Sequence, residues 1–195
     1  GYSAVDPTDT RLIYASFQGG QVRRSLDGGS TWISGTNGID DLGGDRNFTA
    51  RPDNYLFITP FVMDPNNSLR LWIGGRRLFR TDDGGQSWTA ISPDLTRDDE
   101  TKQRWSGGPI TGDNTGVEFY GTIFAVAESP VEPGLIWAGT DDGLVHVTRD
   151  GGEHWTNVTP PALRAWRDRK RSRKIFSSGT ISPPGPTRVS RNWRP

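Results

Sequence analysis

One short pattern is written three times along this chain: Ser25-Leu26-Asp27-Gly28-Gly29-Ser30-Thr31-Trp32, Thr81-Asp82-Asp83-Gly84-Gly85-Gln86-Ser87-Trp88 and Thr148-Arg149-Asp150-Gly151-Gly152-Glu153-His154-Trp155. A hydroxyl residue is followed two positions on by Asp, then by Gly-Gly, and Trp stands five positions after the Asp. Asp is short enough to accept backbone N–H bonds inside a turn, and the glycines take φ > 0 there without steric cost. The Ser or Thr closes an incoming strand, and the Trp anchors the outgoing one. Burying that indole between sheets is worth roughly 4–6 kcal/mol as an upper bound. Ser25, Asp27, Gly29 and Trp32, Thr81, Asp83, Gly85 and Trp88, and Thr148, Asp150, Gly152 and Trp155 are therefore assigned a structural role, and none of the three Asp is cast as a catalyst.

The repeat extends upstream. Asp6-Pro7, Asp64-Pro65 and Ser129-Pro130 each precede a polar stretch and an apolar strand, Leu12–Ala15, Leu71–Gly74 and Ile136–Gly139. Short strands with a turn every 8–12 residues or so, repeated at this period, point to propeller blades. In the third unit the strands are expected at Thr122–Glu128, Leu135–Gly139, Leu144–Thr148 and His154–Val158, with Asp141-Asp142-Gly143 as the middle hairpin. The second is expected at Leu56–Met63, Arg70–Gly74, Leu78–Thr81 and Ser87–Ile91. In the first, Leu12–Phe17, Val22–Ser25 and Thr31–Ser34 are recognisable, and the innermost strand is missing or reduced to residues before Val5. The fold class is all-β: a partial β-propeller of about two and a half four-stranded blades, at about 1–35, 55–92 and 119–160, within a domain 1–162. The 25 Gly, 14 Pro and 8 Trp suit such turn-dense structure. A start in mid-blade without an initiator Met reads as a fragment of a longer chain.

The formal net charge of zero conceals a split. From Arg164 to Pro195 ten Lys or Arg face one acidic residue, Asp168, and the strand-and-turn rhythm stops after Thr159-Pro160-Pro161. Residues 163–195 are expected to be a disordered basic tail. An out-of-frame continuation is favoured over a solvated tail, and both over a nucleic-acid or membrane-binding arm carrying Trp166 and Trp193. No nucleic acid is expected as a partner, and no apolar segment reaches membrane-spanning length. Zero cysteines exclude disulfides and thiolate chemistry. Sequons at Asn47, Asn66 and Asn157 matter only in a eukaryotic secretory setting. His146 and His154 are explained by strand and repeat, neither with a second ligand at metal-site spacing. No Gly-rich phosphate loop precedes a helix. Cofactors and metals are expected to be none.

The three boxes resemble the Asp-box, or bacterial neuraminidase repeat. The run from Gly107-Gly108-Pro109-Ile110-Thr111-Gly112-Asp113-Asn114-Thr115 through Asp141-Asp142-Gly143 to Asp150-Gly151-Gly152 resembles large bacterial proteins with a sortilin-type propeller, often labelled glycosyl hydrolases by repeat alone. The resemblance spans residues 1 to about 162. It implies an exported, extracytoplasmic propeller with boxes on the outer hairpins and ligand groups on other loops. Related propellers include sialidases, xyloglucan-active glycoside hydrolases, sortilin receptors and photosystem assembly factors.

Ligand chemistry is therefore sought in the longer connection, residues 93–120, since long loops are more often functional than short ones. The candidates are Asp94, Trp105, Asp113, Asn114 and Glu118: carboxylates for acid, base or nucleophile work, and Trp105 as a stacking platform for a sugar ring. A solvated insertion packed on a neighbouring blade is the plainer alternative. Arg70, Arg76, Arg77, Arg80, Tyr120 and Glu118 are the residue types a sialidase gathers, without spacing that assembles them. Two functions stay open: a noncatalytic scaffold binding protein, peptide or carbohydrate alongside the remaining blades, or a glycoside hydrolase whose catalytic carboxylates lie largely outside this chain.

Overall fold

The computed structural model describes residues 1–39, 55–56, 58–103, 106–107, 112–113 and 120–163, with 106–107 and 112–113 described in backbone only. Residues 164–195, to which the tail readings apply, lie outside them. The strands are β1 (Ser3–Val5), β2 (Ile13–Ser16), β3 (Val22–Ser25), β4 (Ile33–Ser34), β5 (Phe61–Asp64), β6 (Asn67–Gly74), β7 (Leu78–Thr81), β8 (Thr89–Ala90), β9 (Ser106–Gly107), β10 (Gly112–Asp113), β11 (Ile123–Glu128), β12 (Ile136–Thr140), β13 (Val145–Thr148) and β14 (Thr156–Asn157). β1–β4, β5–β8 and β11–β14 each form a four-stranded antiparallel meander, and β9 pairs with β10 alone. The first strands, β1, β5 and β11, lie beside one another, as the innermost strands of successive blades do.

The first sheet carries its innermost strand as three residues, Ser3–Val5, paired with Ala15, Tyr14 and Ile13. Two boundary differences have physical causes. β5 begins at Phe61 rather than Leu56, because Pro60 has no N–H for the ladder. The fourth strands are shorter than expected because the backbone N–H groups of Thr31, Ser87 and His154 bond the box carboxylates instead.

Alternation along β6 divides the core in two. Leu71 and Ile73 join Tyr14, Val22, Phe61, Phe79 and Trp88 between the first and second sheets. Trp72, one residue out of phase, joins Leu78, Leu95, Ile123, Ile136 and Ala138 between the second and third. A one-residue slip of β6 would exchange the two sets, so register and sheet stacking are fixed together.

Both junctions reuse the same polar contacts. The Trp88 indole donates to the Gly35 carbonyl at 2.7 Å, and the Trp155 indole to the Ile91 carbonyl at 2.9 Å. Each acceptor is the first residue past the outer strand of the preceding sheet. Arg24 on β3 donates to the Gly84 carbonyl at 3.3 Å, and Arg80, its counterpart on β7, to the Gly151 carbonyl at 3.2 Å. Trp32 departs from the expected burial. It is 42% exposed and donates only to Gly29 of its own turn, since no described sheet precedes it.

Candidate functional site

The sheets present two ends. At one, the boxes follow the third strand of each meander, and their first glycines, Gly28, Gly84 and Gly151, donate N–H to the Arg11, Leu69 and Gly134 carbonyls of the neighbouring connection. Both glycines of every box have positive φ, from 70° to 110°. Thr81 Oγ1 donates to Asp83 at 2.7 Å and accepts the Gly85 N–H at 2.9 Å, while Asp83 takes the Ser87 N–H at 2.9 Å and hydroxyl at 2.6 Å. Ser25, Asp27, Gly29 and Thr31 repeat this set, as do Thr148, Asp150, Gly152 and His154, with the imidazole Nδ1 in place of the hydroxyl, 2.7 Å from Asp150.

These bonds stabilise the charged carboxylates. The Thr31 hydroxyl leads in holding Asp27 at about 2. Burial raises Asp83, but bonds from Ser87, Thr81 and Gln86 outweigh it and hold it at about 2. The Thr148 hydroxyl leads in lowering Asp150. Carboxylates saturated in this way are turn locks. Asp150, Glu153 and His154 bring three possible metal ligands within 4.8 Å of one another, a neighbourhood the sequence reading did not find. All three are exposed, and an ion would displace the His154–Asp150 bond.

The same end holds a carboxyl pair between the second and third sheets. Burial leads in pushing Glu128 up and the nearby Asp64 adds to this, while the Gly134 N–H and Arg70 oppose it. Arg70 reaches Asp82 at 2.5 Å and Asp64 at 3.4 Å.

The opposite end gathers the hairpins between second and third strands and the start of the long connection. Arg76 binds Asp94 at 2.6 Å and also pairs with Asp98. Asp94 accepts the Thr96 N–H at 2.8 Å and hydroxyl at 2.6 Å. The Arg97 N–H donates to Asp142 at 2.6 Å, and Thr140 Oγ1 to its other oxygen at 2.5 Å. Asp141 accepts the Gly121 and Thr122 N–H groups at 3.0 and 2.9 Å, and burial nevertheless raises its pKa. Lys102 pairs with Asp99 at 2.7 Å and lies 5.1 Å from the Tyr120 ring centroid. Residues 93–103 are thereby laced across the second and third sheets.

Of the candidate ligand residues, Asp94 is placed here. Asp113 is described only as a backbone partner of Ser106 on β10, and Trp105, Asn114 and Glu118 lie outside the described residues. The candidate arginines do not converge: Arg70 and Arg80 share Asp82 at the box end, Arg76 sits at the opposite end, and Arg77 covers the Phe79 ring at 5.2 Å. Arg97, Asp141, Asp142 and Lys102 were not singled out by sequence reasoning. Asp141-Asp142-Gly143 is legible as a turn, but its bonds to segments 20 and 45 residues away carry no local signal.

Three consecutive antiparallel meanders, face to face with adjacent first strands, make this a partial β-propeller. No protein-family model matches the sequence. The chain is 30% identical over 145 residues to the photosystem II assembly lipoprotein Ycf48 of Synechococcus sp. (strain CC9902), a match covering 63% of this chain and 42% of that protein. It thus spans less than half the length of that relative. Among solved structures it is similar to an ancestral GH74 enzyme, with 18% identity, a TM-score of 0.45 and coverage of 81% of this chain and 18% of that one. It is also similar to YCF48 bound to D1 peptide, with 18% identity, a TM-score of 0.44 and coverage of 80% and 43%. Among the described residues no helix is long and apolar enough to cross a membrane.

Proposed function

We propose that this chain is part of an exported Asp-box propeller of the sortilin-like kind that acts as a binding scaffold for a protein or peptide, with carbohydrate as the alternative ligand. The propeller domain is assigned to residues 1–162, and the basic segment 163–195 is assigned outside it. The observation that carries this reading is the bonding at the end opposite the boxes. There Asp94, Asp98, Asp141 and Asp142 hold loops in place through arginines and backbone N–H groups. A glycosidase needs a carboxyl pair aimed at a substrate, about 5–5.5 Å apart for retention or about 6.5–9.5 Å for inversion. Carboxylates spent on fixing loops make a rigid recognition surface, which suits binding. The relative's name, an assembly lipoprotein, supports a role in holding another protein and an extracytoplasmic setting.

Peptide and glycan arrays probed with the full chain test this. Retention on peptides, reduced by Lys102→Ala and Tyr120→Ala at that end, is the expected result. Retention on glycans alone, lost on Trp105→Ala, moves the ligand to carbohydrate. Release of sugar from xyloglucan or sialyl substrates overturns the scaffold in favour of a hydrolase.

A further inference from the structure

The aspartate of each Asp-Pro pair, Asp6 and Asp64, meets the following sheet at an internal junction, but the two do so through different groups. Asp6 is buried and accepts the Thr8 N–H on one carboxylate oxygen at 2.7 Å. On the other it accepts the hydroxyl of Ser68, from the second sheet, at 2.6 Å. Asp64 is buried as well and accepts the Asn66 N–H on one oxygen at 2.6 Å. The third unit has no counterpart of the Ser68 hydroxyl: Ser68 lies four positions after Asp64, and the residue four positions after Ser129 is Pro133. Glu128, the last residue of β11, stands within hydrogen-bonding reach of Asp64 instead.

Two carboxyl groups bond to each other only with a proton between them. One Glu128 oxygen accepts the Gly134 N–H at 2.9 Å; the other, Oε2, is buried, and among the described residues no donor reaches it. The charges around the pair already cancel. On the second sheet Asp64 of β5 and Asp82 after β7 face Arg70 of β6 and Arg80 of β7, two of each sign. Arg70 lies 2.5 Å from Asp82 and 3.4 Å from Asp64, and Arg80 lies 2.8 Å from Asp82. On the third sheet Glu132 and Arg149 pair with each other at 3.3 Å. Glu128 is the unmatched group. A proton on Oε2 cancels its charge and supplies the missing donor, in keeping with the upward push that burial and Asp64 give it.

We propose that Glu128 and Asp64 form a proton-operated lock between the second and third sheets, closed when Glu128 Oε2–H donates to Asp64 and released when that proton leaves to water. Once it leaves, the two carboxylates repel each other across the junction, and Arg70 is shared between them and Asp82. Ser68 performs the same task at the first junction without titrating, so of the two junctions only the second responds to pH. The lock is complete below the ordinary Glu value of 4.5 and is lost as pH rises through the higher value of the folded chain.

The test follows the Glu128 carboxyl carbon by NMR titration of the full chain, together with amide hydrogen exchange. Glu128 is expected to titrate above 4.5 in the native chain, and Asp64→Asn, which removes the negative neighbour, is expected to bring it back to 4.5 or below. Protection of the amides of residues 123–128 should fall about tenfold as pH rises from about 5 to about 8, the weight of one hydrogen bond to a charged group. It should stay level in Glu128→Gln, whose amide donates at every pH. Ser68→Ala should lower protection at the first junction equally across that range. A Glu128 midpoint at or below 4.5 in the native chain overturns the proposal, as does a raised midpoint indifferent to Asp64→Asn, which leaves burial as its only cause. A fall in protection that persists in Glu128→Gln, or a Ser68→Ala loss that follows pH, overturns it too. The native-chain titration decides on its own if a variant does not fold.

Discussion

Replacing Trp88 by Ala should cost far more than replacing Trp32 by Ala, although the two residues occupy the same place in the repeat. Trp88 is 5% exposed and packs between two sheets, with a 6.4 Å centroid separation from Phe61 and its indole bonded to Gly35. Removing a buried Trp costs about 3–5 kcal/mol, including about 1 kcal/mol for the Gly35 carbonyl left without its donor. Trp32 loses a bond inside its own turn and part of one exposed ring, about 1 kcal/mol. Urea unfolding of the full chain reads the difference. With a slope of about 2 kcal/mol/M, the midpoint falls by about 1.5–2.5 M for Trp88→Ala and about 0.5 M for Trp32→Ala. Trp155, half-buried and bonded to Ile91, falls between them. If Trp88→Ala leaves no folded baseline, Trp88→Phe keeps most of the packing and isolates the lost indole bond. Equal shifts for Trp32 and Trp88 would refute the inter-sheet role of the anchor.

The box carboxylates set the acid limb of stability. Asp27 and Asp83 are held at about 2, below their ordinary 3.8, so they stabilise the fold above pH about 4 and this is lost as pH falls toward 2. A pH series of urea midpoints checks this, and Asp83→Asn should flatten the acid limb. Glu128 has the opposite sign: its raised pKa means that its contribution is full below its ordinary 4.5 and lost as pH rises through the folded value. Glu128→Gln should therefore raise the thermal midpoint at pH 7 and leave it nearly unchanged at pH 4. Thr81→Ala removes the acceptor of the buried Gly85 N–H, and a loss of about 1–3 kcal/mol is expected in urea unfolding, against a few tenths for Thr81→Ser.

The fold was legible because its determinants are local. Asp, two glycines and a hydroxyl within five residues form one turn whose bonds span no more than four positions, so reading the turn required no knowledge of the rest of the chain. Strand phase followed as well, since two-residue alternation sends Leu71 and Trp72 to different cores. What the repeat did not carry was each copy's surroundings. Trp32 and Trp88 look identical in sequence and differ in burial, because burial depends on which sheet stands beside the anchor. The end opposite the boxes was the least legible part. Arg97 and Asp142 meet across 45 positions, and Arg76 finds Asp94 only because the connection folds back over its own sheet. Such pairings have no period and no motif.

The acceptor at each junction is a main-chain carbonyl, offered by Gly35 in one case and Ile91 in the other. The bond itself does not involve the acceptor's side chain, although at Gly35 an added Cβ would lie 3.3 Å from the Gly85 carbonyl. Proline is excluded, because the same residue's N–H is tied inward. A docking rule written in backbone atoms survives substitution on the acceptor side and asks the donor side for a single indole. Blades built this way can drift apart in sequence, be duplicated or be exchanged between chains and still recognise their neighbours.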